Sequence, residues 1–469
     1  MSDQAVAHPV TPAVATGLGR RVTAAIPRGG AALLTIGTVA SGVLAYVFIV
    51  LAARTLGPAA YGPIAVLWAA VFLTSIVLFR PLEQVLSRGI AERLAQGQSA
   101  GEVWRSVARL MAVVVVVAAA ITALFWGPVT DKLFDGRDAL TAAFIVALAG
   151  YALSFLARGI VGGMRWFGGY GTVLLADGWV RVLFALPLLL FASPAVAAAA
   201  IAAAAIGGAL APLIAIRRGD PEVRARAAAL REPSGTTFHT GHAVREALPV
   251  TAIASADQLL VSGGVLLVML AGGPHAARDA GVVFAATMLV RAPVFLYQGF
   301  AAALLPVLTT SHARGEHADF RRAVMRAIGV LSAFAAVLVA GTLIAGPELM
   351  RGFFGKGFDA NRVDLALLAA GVGLYLASST LSQAAIARRL TGRAAVAWVI
   401  SGITFVAIEL MLDGPPLHRI AIAFLVATGV NALLFATVVS RGRAPREDDV
   451  RLGDLDPGAP GEPVRQQAA

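Results

Sequence analysis

A handful of charged residues stand inside or at the edges of long apolar runs. An ionised side chain at the centre of a membrane helix costs at least ~2.5 kcal/mol, so by default it faces a cavity, a partner or a substrate. Arg291 is the clearest case, sitting in an apolar run two residues before Pro293. A proline there frees a backbone carbonyl and bends a helix around a space. The planar guanidinium matches phosphate oxygens two at a time, which makes Arg291 a candidate clamp for a diphosphate; the alternative is an ion pair with a neighbouring helix. Asp177 and Arg181 are four residues apart and share a helix face. They either neutralise each other or serve a substrate or a proton. Asp257, beside Gln258, is an intramembrane carboxylate that could couple a proton or sodium ion, or pair with Arg291. Arg80, Pro81 and Glu83 close an apolar run and either snorkel to the interface or form the rim of a cavity. Arg54 reads as a topological anchor or a cap on a helix C-terminus, and Glu409 as a charge reaching the interface.

The motifs of most enzymatic sites are missing. The chain has no cysteine, hence no thiolate ligand or catalytic thiol. His239 and His242 form an H-x-x-H without the acidic helical context of a zinc site. The glycines at 162, 163, 168 and 169 flank Trp166 with no phosphate-loop lysine nearby. The expectation is a protein that is not an enzyme and holds no metal or cofactor.

The elements that must position these charges are membrane helices. Of the 469 residues, 58% are hydrophobic and 14% charged, against about 25% charged in globular chains. Mean hydropathy is +0.78. The net charge of +11 would suggest nucleic acid in a soluble protein. Here no basic segment is long or interleaved with aromatics, and the arginines suit anionic lipid headgroups instead.

A crossing needs about 20 apolar residues. Runs of that kind fall at 31–53, 61–81, 107–127, 139–161, 170–191, 194–216, 247–271, 280–303, 325–346, 363–387, 394–412 and 418–440. Every second break between them is rich in arginine, with about 25 basic residues on one side and about 8 on the other. The positive-inside rule then predicts about 12 spans with both termini cytoplasmic. The expected fold is an all-α polytopic membrane protein. Its expected parts are a disordered arm over 1–30, a six-helix lobe over 31–216, a linker over 217–246, a second six-helix lobe over 247–440 and a disordered tail over 441–469. An even number of spans per half makes the pseudo-repeat a parallel one, and repeat transporters place substrate at the repeat interface.

Short loop motifs sharpen this reading. Arg54-Thr55-Leu56-Gly57-Pro58-Ala59-Ala60-Tyr61-Gly62 resembles the R-x-L-G-x-x-x-Y-G signature of Wzx-like polysaccharide flippases, a branch of the multidrug/oligosaccharidyl-lipid/polysaccharide exporter superfamily. Leu304-Leu305-Pro306-Val307-Leu308, with Gly315-Glu316 and Phe320-Arg321-Arg322, is similar to the segment after that family's eighth helix. Phe353-Phe354-Gly355-Lys356-Gly357-Phe358 resembles its loop before the tenth. The resemblance implies two lobes in a V around a central cavity, in the bacterial plasma membrane. It implies transfer of a polyprenyl-diphosphate-linked oligosaccharide from the cytoplasmic to the outer leaflet. Arg291, Arg181, Asp177 and Arg80 are then the candidate substrate contacts, and Asp257 the candidate ion-coupling group. The partners expected with it are membrane lipids, a proton or sodium ion and glycan-assembly enzymes, with no nucleic acid. A drug–cation exporter of the same superfamily is the rival reading, and a membrane enzyme of polysaccharide assembly a more distant one.

Overall fold

The computed structural model describes residues 28–217, 221–230, 240–292, 317–388 and 390–441. Most of the expected arm and tail, Pro293, His239 and the Leu304–Leu308 motif lie outside the described residues.

Helix α1 is Arg28–Ala95, broken only at Gly57 (φ 69°, ψ 167°). Pro58 follows, at a helix start where a missing N–H costs nothing. The two spans expected at 31–53 and 61–81 therefore meet at one non-helical residue, and the second runs on to Ala95. The apolar count stops at Arg80, but the helical period does not. Leu82, Val85, Leu86 and Ile90 continue a buried stripe at spacings of three and four. Among the described residues, ten helices are long and apolar enough to cross a membrane. The first of them, Ile36–Ala95, has 60 residues, or about 90 Å at 1.5 Å per residue, enough for two crossings of a ~30 Å core.

The remaining helices are α2 (Gly101–Leu124), α3 (Trp126–Phe134), α4 (Asp138–Gly163), α5 (Phe167–Ala185), α6 (Pro194–Arg217), α7 (Pro221–Ala229), α8 (Thr240–Ala271), α9 (Ala276–Arg291), α10 (His317–Phe354), α11 (Arg362–Ala387), α12 (Thr391–Met411) and α13 (Pro416–Arg441). No strand occurs among the described residues. This is the internal hydrogen bonding that lipid demands. Of the expected arm, only residues 28–30 are described, and they are helical. The expected linker holds the short helix α7 and the first turns of α8. The described part of the span expected at 280–303 is α9, which reaches Arg291.

Helices α1, α4, α5 and α6 pack on one another, and so do α8, α12, α13 and α11. The contacts recur between halves: α4 with α6 and α5 with α6, then α11 with α13 and α12 with α13. Helices α2 and α10 are peripheral, each with 17% of its most apolar window buried. Val113, Val116, Val117 and Ile121 of α2 face outward, as lipid contacts should. Helix α1 also packs on α8 and α9 and so joins the two groups.

Small residues set these approaches. A Cβ on Gly163 would lie 2.6 Å from the Ile90 Cβ and 2.9 Å from the Ser87 carbonyl oxygen. Gly163→Ala should therefore prise α4 from α1 and cost about 1–3 kcal/mol, read as a lower melting temperature of the purified protein.

Candidate functional site

Two helices each carry a polar stripe on one face. On α1, Arg80, Gln84, Ser87, Arg88 and Ala91 recur at three- and four-residue spacings; on α4, Tyr151, Phe155 and Arg158 do the same. With Phe72, Ile76, Glu83 and Tyr170 of α5 they line a cavity of about 550 Å³.

Its charge is unbalanced: three arginines face one glutamate. Glu83 is largely buried and accepts a hydrogen bond from the Tyr170 hydroxyl at 2.7 Å. The Arg158 guanidinium lies over the Phe155 ring at 4.9 Å, and its buried Nε has no hydrogen-bond partner among the described residues. Arg80 is exposed to the cavity and makes no hydrogen bond or ion pair to another described residue. A lining with more cations than anions at low dielectric attracts an anion.

Tyr151 stands between this cavity and the Asp177–Arg181 pair. Arg181 Nη2 donates to Asp177 Oδ2 at 2.5 Å and to the Tyr151 hydroxyl at 2.8 Å. Tyr151 in turn donates to Asp177 Oδ1 at 3.3 Å. The guanidinium lies 4.9 Å from the Trp68 ring centre. Only 1% of Arg181 and 5% of Asp177 are exposed, so these two candidates face each other and not the cavity.

The other two candidates lie in the second helix group. The Tyr375 hydroxyl donates to Asp257 Oδ1 at 2.7 Å, and the Arg291 guanidinium lies 6.0 Å from the Tyr375 ring centre. Arg291 Nη1 donates to the Val261 carbonyl at 3.0 Å. Arg291 and Arg80 both lie within electrostatic reach of Asp257. Three of the five candidates thus share one electrostatic neighbourhood, while Asp177 and Arg181 form a closed unit behind it. Gln258 is turned to Ser262 at 2.7 Å. Glu409, two residues from the end of its helix, is 3% exposed and bound to Arg419 at 2.9 Å.

Sequence reasoning passed over Arg88 and Arg158 because both were counted as topology markers. The signal was present in the three- and four-residue spacing that puts each on the face of a cavity residue, Arg88 with Arg80 and Arg158 with Tyr151.

No family model matches the chain. An uncharacterized protein of Mycobacterium tuberculosis is 26% identical over 425 residues, covering 89% of this chain and 93% of its own. An uncharacterized protein of Mycobacterium bovis is 26% identical over 386 residues, covering 80% and 84%. Among solved structures, an inward-facing MATE-family multidrug resistance transporter of the MOP superfamily aligns with a TM-score of 0.65 at 16% identity, over 87% of this chain and 94% of that one. The lipid II flippase MurJ, in an inward closed conformation, aligns at 0.58 with 15% identity over 87% of each chain. The chain shares the fold of these structures. An outward-facing MATE transporter with this fold aligns at 0.60, with 17% identity.

Proposed function

We propose that this chain is an exporter that carries a polyprenyl-diphosphate-linked oligosaccharide across the bacterial plasma membrane by alternating access. The arginine-rich breaks lie in the cytoplasm, and the headgroup enters from that side. The observation that carries this reading is the charge of the cavity: Arg80 makes no hydrogen bond or ion pair to another described residue, Arg158 Nε has no partner there, and the one carboxylate of the lining is already held by Tyr170. A diphosphate diester is a dianion and supplies the missing countercharge, with paired oxygens that suit guanidinium forks. The polyprenyl tail stays in the membrane while the headgroup occupies the cavity. Arg291, near Tyr375 and Asp257, takes up the headgroup as the lobes rock. Asp177 and Arg181 support the cavity wall through Tyr151. Asp257, held by Tyr375, binds the proton or sodium ion that couples transport. Glycan-assembly enzymes supply and consume the carried lipid.

The fold favours a second reading, export of cationic drugs, because MATE-family multidrug transporters share it. The cavity's excess of arginine runs against a cationic cargo. Purified protein in liposomes should move a fluorescent polyprenyl-diphosphate oligosaccharide between leaflets under a proton or sodium gradient. Transfer no faster than in protein-free vesicles, together with gradient-driven efflux of an organic cation, would replace the first reading with the second.

A further inference from the structure

The two loop signatures that the cavity does not use meet each other. Arg54 lies just before the Gly57 break in α1, and Phe353 and Gly352 lie in the last turn of α10. Arg54 Nε donates to the Phe353 carbonyl at 2.7 Å, and its Nη2 donates to the Gly352 carbonyl. The last carbonyls of a helix lack intrahelical donors and carry the negative end of its dipole. Two such ends face each other here, that of α1's first segment and that of α10, and one guanidinium sits between them. Arg351 cannot take this role, since its Nε turns back to the Pro347 carbonyl of its own helix.

Backbone contact extends the seam. A Cβ on Gly62 would fall 1.7 Å from the Ala277 carbonyl oxygen of α9, and one on Gly281 would fall 2.4 Å from the Pro58 carbonyl oxygen. The Tyr61 ring, 1% exposed, closes against Phe284 and Phe358 at 6.1 and 5.9 Å between centres.

We infer that Arg54 is the latch of a gate on the arginine-poor face, holding that face shut by capping the C-terminus of α10 across the seam. The glycines allow the seam to close to backbone contact, and the latch sets how firmly it stays closed. Opening replaces these two hydrogen bonds with water, so the closed state gains from Arg54 and the open state does not. This goes beyond the transport reading, because it concerns the equilibrium between closed and open seam whatever the cargo.

The chain has no cysteine, so spin labels on Ala59→Cys and Lys356→Cys report the seam without background. Distances between them should show one dominant short population. Arg54→Ala should lower the ratio of short to long distances about tenfold, the worth of a charge-assisted hydrogen bond. Arg54→Lys, which keeps the charge, should retain most of that ratio. Gly62→Ala, which forces the backbones apart, should open the seam and shows that the labels respond. Each variant is compared at equal melting temperature and monodispersity, so that a misfolded sample is not read as an open one. An unchanged ratio in Arg54→Ala while Gly62→Ala opens would overturn the latch, as would a loss in Arg54→Lys equal to that in Arg54→Ala. Because the readout is a distance, a failure to carry lipid-linked sugar leaves this result standing on its own.

Discussion

Purified Arg181→Met protein should be far less stable than the wild type, by about 3–5 kcal/mol, because the change strips the cation from a buried ion pair and leaves its anion unpaired. Asp177 would keep only the Tyr151 hydroxyl, at 3.3 Å, in a place where 5% of the residue is exposed. The Trp68 ring would lose the guanidinium stacked on it. The measurement is thermal unfolding in detergent, followed by the fraction that stays monodisperse. Asp177→Asn combined with Arg181→Met should recover most of the loss, since a pair replaced by neutral groups of similar size leaves no orphan charge. That recovery separates the two roles first open to this pair. A pair that neutralises itself gives the double-variant rescue and near-normal transport. A substrate contact gives a stable single variant that has lost transport.

The sequence made some of this legible and hid the rest for identifiable reasons. Apolar length gives the approximate position of the spans, since lipid leaves the backbone no other way to satisfy its polar groups; about 12 were expected, and 10 helices among the described residues are long and apolar enough to cross. Apolar length does not fix where helices stop. Helix α1 runs beyond Arg80 because Leu82, Val85, Leu86 and Ile90 keep their stripe buried after the polar residues begin. Charge inside apolar runs pointed to Arg80, Asp257 and Arg291, which gather around one neighbourhood, and equally to Asp177 and Arg181, which do not face it. Spacing shows that two charges share a helix face but not whether that face meets a cavity or a neighbouring helix. Here the Trp68, Phe72 and Tyr151 rings close it off. The meeting of Arg54 with Phe353 spans 299 residues, and no local pattern could announce it. Each motif alone reads as a loop with a cation or glycines, and only packing makes one the cap of the other.

Arg80→Ala and Arg158→Ala should each slow transport of a diphosphate-linked lipid about 30-fold while leaving the melting temperature nearly unchanged. Losing a hydrogen bond to a charged group is worth ~2 kcal/mol, and surface-like positions away from the core cost within about 0.5 kcal/mol of stability. The asymmetry follows from their surroundings. Arg80 holds no described group in place, and Arg158 packs on Phe155 while its Nε has no partner among the described residues. Tyr170→Phe makes the argument sharper. It removes the donor that occupies Glu83 at 2.7 Å, so the carboxylate becomes free to pair with the cavity's arginines and to compete with an anionic headgroup. Transport should fall although no cation has been removed. Tyr170→Phe with Glu83→Gln should restore it, because the competitor is then neutral. The sign of these changes also decides between cargoes. For an anion, deleting arginine lowers transport and neutralising Glu83 preserves or raises it. For an organic cation both signs reverse, since each arginine repels the cargo and Glu83 is the cavity's one attractive charge. Initial rates of both cargo types for the same four variants, measured in the same vesicles, therefore test the charge logic of the cavity itself.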